Sequence, residues 1–267
     1  MSNLHLPLEI IDLIIDLLHD AEHALQNCCL VSKSWIPRTR KHLFAVIRIH
    51  TEKHLQSWKE AFPDPSTSPA RFAKTLLVGC SHLVTAVDAE PGGWITGFSS
   101  VVHLEVASKQ ELCAANSTVS FAPFHGFSPV IKSLRVDIAV LPSSQTFNLI
   151  LSSPLLKDLT VVAPYRVLID KSDSFDVGLS FVVQVSGPPR FTGSLGLLMK
   201  GGMHPVARQL LSLPGGIHFR KLTLSWCHKK DPLSITALVE RCSHALESLE
   251  ISRGLFCASI RHPHLHQ

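Results

Sequence analysis

A short apolar motif recurs along most of the chain and restricts the folds that it can adopt. The motif is apolar-x-x-Leu-x-apolar. Clear copies begin at Val101, Ile131, Leu156, Phe219 and Leu246, and weaker or partial copies begin at Phe44, Ala73 and Leu195. The central anchors lie at positions 47, 76, 104, 134, 159, 195, 222 and 249, so successive copies are separated by 25 to 36 residues. This period indicates a repeat architecture, in which each unit buries its apolar face only by stacking on its neighbours.

Each copy of the motif alternates apolar and polar residues, which is typical of a half-buried strand. Helical patterns separate several copies, and we expect helices at 51–62, 205–213 and 231–244, with a short apolar turn at 147–151. The 36-residue step predicts an insertion with an extra extended pair around 167–169 and 179–185. The expected fold class is therefore α/β, with short parallel strands joined by helices or loops. An unrelated α/β domain with similar spacings is the alternative.

The first fifty residues follow a different pattern, that of three short helices. In the first, the apolar residues run from Leu8 to Leu18, and the polar positions 9, 12, 16 and 19 fall within an arc of about 80°. The apolar positions then cover about 220°, although packing on a single core needs little more than about 100°. We therefore expect the second apolar side to contact another protein. Two further helices are expected at 24–31 and 37–43, and a plain three-helix bundle that caps the rest of the chain is the alternative.

Two segments of this region resemble the signature ends of an F-box. The first is Leu6-Pro7-Leu8-Glu9-Ile10 with the helix that follows, and the second is Leu30-Val31-Ser32-Lys33-Ser34-Trp35 with the later Leu43-Phe44. The family pattern is L-P-x-E-[LI], then L-V-[SC]-[KR]-x-W, and the match covers about residues 4–48. The resemblance, which extends to expanded fungal F-box families, implies docking on the Skp adaptor of cullin-RING ubiquitin ligases. The residues that it places at the adaptor-facing surface are Leu6, Pro7, Ile10, Ile14, Leu30, Val31 and Trp35.

The repeated region resembles a leucine-rich-repeat solenoid in degenerate form. That family usually places Asn or Cys five residues after the central Leu, and here only Cys227 fits, since the other positions hold Lys109, Ala139, Pro164 and Gly254. Side chains that flank the buried Leu residues share the concave face by strand alternation, and we expect a protein substrate there. The candidates are His103, Glu105, Ser133, Arg135, Asp137, Asp158, Thr160, Lys221, Thr223, Ser248 and Glu250. They are mostly small and mixed in sign, which favours a protein over a small ligand.

The sequence thus predicts an F-box at 1–48, a degenerate leucine-rich-repeat-like solenoid at 49–252 and an irregular tail at 253–267. We expect the tail to be too short to cap the last repeat, as in a shortened form of a longer repeat protein. No apolar run approaches the roughly 18–20 residues that cross a bilayer, and acidic residues interrupt the first apolar stretch. We therefore expect a cytoplasmic or nuclear protein without membrane contact. The net charge of +4 is mild and does not favour nucleic acid.

Residue patterns for catalysis, cofactor binding and metal binding are missing from the sequence. It contains no phosphate-binding Gly-rich motif and no C-x-x-C, and its 7 Cys residues are scattered. We expect His262, His264 and His266 to form a frayed tail. The predicted function is a non-enzymatic substrate-recognition adaptor of an SCF-type ubiquitin ligase, without cofactor, which binds a Skp-type adaptor and through it a cullin. The alternatives are an interaction scaffold without ligase function and, more remotely, an enzyme with a site built from scattered residues.

Overall fold

A computed structural model describes residues 6–79, 93–107, 122–137, 143–163, 191–199, 203–213, 215–226 and 231–253. The helices are α1 (Leu8–Leu17), α2 (Glu22–Val31), α3 (Ile36–Leu43), α4 (Glu52–Ala61), α5 (Ser143–Leu151), α6 (His204–Leu211) and α7 (Asp231–Cys242). The strands are β1 (Val46–Ile49), β2 (Thr75–Val78), β3 (His103–Val106), β4 (Ser133–Asp137), β5 (Asp158–Ala163), β6 (Ser194–Met199), β7 (Lys221–Trp226) and β8 (Ser248–Arg253). Short 3₁₀ helices lie at Pro69–Phe72, Trp94–Gly97 and Ala122–Phe127.

The eight strands of the described residues form one parallel sheet whose spatial order equals the chain order. All eight predicted strands are present, and the motif aligns in register from one strand to the next. The central anchors form one row, Ile47, Leu76, Leu104, Leu134, Leu159, Leu195, Leu222 and Leu249. From Ile47 to Leu222 every member of this row is buried. The α/β class is therefore confirmed, and the sheet is consistent with a solenoid-like arrangement.

Helices α1 to α3 precede the sheet and pack through a small interior. Pro7 adopts an extended backbone conformation immediately before α1, where its missing N–H needs no partner. Ile15 of α1 and Leu25 of α2 are buried. Helix α3 begins at Ile36 and accommodates Pro37 in its first turn, close to the expected start at 37. The strand β1 follows three residues after α3 and spans the expected segment boundary at residue 48.

Aromatic side chains join the helical segment to the first repeats. The ring of Phe44, at the end of α3, lies 6.5 Å from Trp58 and 6.3 Å from Phe62, both edge-on. Trp58 also lies 5.6 Å from Phe98, which is fully buried and precedes β3. Edge-on aromatic pairs at these distances add about 0.5–1.5 kcal/mol to the apolar burial. The helical segment is thus packed against the sheet's core rather than tethered by a bare linker.

Side-chain hydrogen bonds connect neighbouring repeats where the loops between them are long. Asp158 Oδ1 accepts hydrogen bonds from the backbone N–H and the hydroxyl of Ser194, both at 2.7 Å. Gly193 is required beside this carboxylate, because a Cβ there would lie 2.4 Å from the same oxygen. Asp231, which is fully buried, accepts a hydrogen bond from the Met203 N–H at 2.9 Å and so ties the start of α7 to the start of α6.

The four helices between the strands lie close to the segments predicted from the sequence, and their ends differ by a few residues. Helices α4, α6 and α7 end one to two residues before the predicted limits. The short turn expected at 147–151 is instead part of α5, which starts four residues earlier at Ser143. The extended pair expected within 167–185 and the tail at 254–267 lie outside the described residues. On β8, Leu249 and Ile251 are 43% and 46% exposed, unlike their buried counterparts on the other strands.

Candidate docking surfaces

Helix α1 presents an apolar stripe to solvent. Ile10, Leu13, Ile14 and Leu17 follow the spacing i, i+3, i+4, i+7, so they lie on one face, and all four are exposed. Leu17 is the most exposed of them, at 74%. Helix faces with this spacing normally rest on a protein core, and groups of exposed large apolar side chains mark interaction sites. We call these four residues the α1 stripe.

Further exposed apolar residues lie near the start of α1 and at the end of α2. Leu6 and Leu8 are exposed at the start of α1. At the end of α2, Leu30 is 85% exposed and Val31 is exposed too, and the chain then turns through an extended Ser32. Pro7 is exposed and Trp35 is half-buried. Six of the seven residues expected at the adaptor-facing surface are therefore accessible to a partner, and the seventh is partly so.

An ion-pair network holds α1 against α3 and thereby fixes the direction of the stripe. The carboxylate of Asp16 accepts two hydrogen bonds from the guanidinium of Arg38, one from Nε at 2.6 Å and one from Nη2. It also pairs with His42 Nε2 at 2.7 Å. The guanidinium of Arg38 and then the imidazole of His42 hold the pKa of Asp16 far below its usual range. Asp16 therefore faces α3, and the α1 stripe is left to solvent.

This network predicts a pH-dependent contribution to stability. Since the folded-state pKa of Asp16 is depressed, its stabilisation is complete above the unfolded-state value of about 4 and is lost as pH falls below that. The side chain is 35% exposed, so the effect is small. We expect Asp16→Asn to unfold at a lower temperature than the wild type at pH 7, and the difference to narrow between pH 4 and pH 2. A difference in melting temperature that stays constant over this range would contradict the assignment.

The outward face of the sheet carries the residues expected to contact a substrate. Two rows of this face hold ten of them in register. One row runs through His103, Ser133, Asp158, Lys221 and Ser248, and the other runs through Glu105, Arg135, Thr160, Thr223 and Glu250. Each of these ten side chains is exposed or half-buried. The structure thus brings ten of the eleven candidates onto one surface.

One candidate is not on the exposed surface, and three others have side-chain partners within the protein. Asp137 is buried, at 9% exposure, so it is not displayed to a partner. Asp158 uses one carboxylate oxygen to hold Ser194, which makes it a link between repeats. Arg135 Nε lies 3.3 Å from Glu105 Oε1, so these two candidates pair with each other across adjacent strands. The alternation rule placed these residues on the correct strands but does not report side-chain partners.

Some exposed residues that could contact a partner are not among those predicted from the sequence. Leu13 and Leu17 belong to the exposed stripe, but the sequence alone does not tell which apolar side of α1 is buried. Lys74, Lys132 and Lys157 lie at the amino ends of their strands and are exposed. Each stands two residues before the central anchor of its repeat, and that fixed offset is the signal that identifies them.

Other kinds of site have little support in the described part of the chain. No group of three or more His, Cys, Asp and Glu side chains could hold a metal ion there. The thiols of Cys28, Cys29 and Cys242 are free, and burial raises the pKa of Cys242. None of the helices in these segments is long and apolar enough to span a membrane. Compared with known proteins, the chain matches no family model, no curated protein and no solved structure.

Proposed function

We propose that the chain is a substrate-recognition adaptor of an SCF-type ubiquitin ligase. Helices α1 to α3 would act as an F-box that docks on a Skp-type adaptor. The sheet and its helices would act as a degenerate leucine-rich-repeat solenoid that binds a protein substrate. The chain itself performs no chemistry in this proposal, and ubiquitin transfer follows from holding the substrate near the transferring enzyme.

The observation that carries the proposal is the orientation of α1. A helix that turns Asp16 and Ile15 towards its neighbours leaves Ile10, Leu13, Ile14 and Leu17 in water. Burial of one such side chain is worth about 1.5–3 kcal/mol, so a monomer forgoes a sizeable stabilisation by this arrangement. A partner that covers the α1 stripe gains this free energy of burial when it binds. The F-box resemblance names a partner for this surface, and the exposed Leu30 and Val31 lie in the second segment that carries the same resemblance.

The outward sheet face supports the second half of the proposal. Its two rows combine hydroxyl, carboxylate and basic side chains on five strands, β3, β4, β5, β7 and β8. Such a mixture, spread over a broad sheet, suits an extended protein surface.

Affinity purification of the tagged full chain, followed by mass spectrometry, tests the proposal. Recovery of a Skp-type adaptor together with a cullin is the expected result. Recovery of the adaptor without cullin would overturn the ligase part and leave an interaction scaffold. Recovery of neither would overturn the F-box assignment.

A further inference from the structure

A continuous row of residues crosses the whole sheet just before the strands begin. After the first member, the backbone N–H of each residue in the row donates to the carbonyl oxygen of the member before it, at 2.7 to 3.2 Å. In order the row contains Ala45, Lys74, Val102, Lys132, Lys157, Gly193, Arg220 and Glu247. These hydrogen bonds place residues that are far apart in sequence side by side. We call this set the amino-edge row.

Four of the eight members of the amino-edge row are basic and exposed. They are Lys74, Lys132, Lys157 and Arg220, and the exposed Lys221 stands beside the last of them. Neighbouring strands lie about 4.8 Å apart, so Lys132 and Lys157 are roughly that far apart at the backbone. The same spacing gives about 24 Å from Lys74 to Arg220, which are five strands apart. Five of the chain's 25 Lys and Arg residues thus lie along one edge of the sheet.

Acidic side chains nearby are already engaged. Glu247 Oε1 lies 3.4 Å from Arg220 Nη1, and Asp158 is hydrogen-bonded to Ser194. Lys74, Lys132 and Lys157 make no ion pair within the described segments of the chain. Like charges on adjacent strands are unfavourable for the sheet, so folding does not explain the pairing of Lys132 with Lys157. An anionic partner would relieve the repulsion.

We propose that the amino-edge row binds an extended, acidic polypeptide segment, rich in Asp and Glu. Extended chain rises about 3.3 Å per residue, so roughly seven residues span the 24 Å of the row. A polypeptide suits the surface better than nucleic acid, because the amino-edge row contains no Phe, Tyr or Trp for base stacking and includes Glu247. The inference rests on the proposed function in one respect, since the acidic segment would belong to the protein substrate.

Fluorescence anisotropy with a labelled eight-residue peptide of alternating Glu and Ser tests the inference. We expect the full chain to bind this peptide and to show no measurable binding to the uncharged control peptide, in which Gln replaces each Glu. Lys132→Glu/Lys157→Glu should weaken binding by about tenfold or more, and added salt should weaken it further. The matched control is Lys41→Glu/Lys53→Glu, which makes the same change in net charge at exposed lysines of α3 and α4 and should alter affinity less than about twofold.

Several outcomes would overturn the inference. These are the absence of peptide binding by the wild type, an equal loss in both double variants, and tighter binding of a single-stranded oligonucleotide of matched charge. Tighter binding of a peptide in which phosphoserine replaces the glutamates would show that the row prefers phosphates to carboxylates. That result would also contradict the inference. Binding of a Skp-type adaptor, measured on the same preparations, should be unchanged in Lys132→Glu/Lys157→Glu. Peptide binding without adaptor binding would reject the proposed function while sustaining this inference.

Discussion

The double variant Ile10→Asp/Ile14→Asp is expected to lose about a hundredfold or more in affinity for a Skp-type adaptor. Both side chains belong to the exposed α1 stripe. Removing their burial forgoes about 3 kcal/mol or more, and each 1.4 kcal/mol corresponds to a tenfold change in affinity. Two carboxylates brought into an apolar contact add a desolvation cost. Isothermal titration calorimetry with the purified adaptor measures the change.

The variant should leave the folded chain nearly as stable as the wild type, because neither isoleucine is buried in the free chain. Leu155→Asp/Leu233→Asp is the matched control, since both leucines are exposed and lie in the repeat region. We expect this control to bind the adaptor with unchanged affinity. An unchanged affinity of Ile10→Asp/Ile14→Asp, or an equal loss in the control, would refute the role of the stripe.

Truncating a central anchor leucine is expected to lower the free energy of unfolding by an amount that depends on the strand on which the leucine lies. Leu134 and Leu249 occupy the same row of central anchors, but Leu134 is 1% exposed and Leu249 is 43% exposed. Leu134→Ala is expected to lower the free energy of unfolding by about 2–5 kcal/mol, the range for truncation of a buried leucine. Leu249→Ala should cost less than about 1 kcal/mol, because water already reaches it. Urea denaturation of both variants gives the comparison.

Equal losses for the two variants would show that Leu249 is covered in solution. A larger loss for Leu249→Ala would place the centre of stability at the carboxyl end of the sheet and contradict the packing described above. The comparison uses one residue type at one repeat position. It therefore isolates the effect of the neighbouring strand from that of side-chain chemistry.

The sequence predicted the strands well because each carries its own local signal. Alternating apolar residues around a central leucine specify both the strand and its buried face, as at Leu134 and Leu222. The helix α5 shows the limit of this approach. Its apolar residues begin only at Phe147, so the sequence pattern indicates a short apolar turn and does not reveal the polar first turn that starts at Ser143. Ser and Thr have only modest helix propensity within a helix, so a first turn of this composition carries little helical signal.

The candidate surfaces were less predictable because they depend on relations between elements. The width of the apolar arc on α1 indicates a second contact, but the pairing of Asp16 with Arg38 determines which side is left exposed. Similarly, Lys132 and Lys157 are isolated charges in the sequence and become neighbours only through the strand register. Both lysines stand two residues before the central anchor of their repeat, but the repeats differ in length from 25 to 36 residues, so this common position is not obvious in the sequence.

Hydrogen–deuterium exchange of the full chain, with and without a Skp-type adaptor, tests whether α1 to α3 form the docking surface for that adaptor. We expect the adaptor to slow exchange in α1 and from the end of α2 through Trp35. We expect unchanged exchange in β3 to β8, which carry the proposed substrate-facing surface. Protection confined to the sheet, or no protection anywhere at saturating adaptor, would contradict the docking of α1 to α3 on this partner.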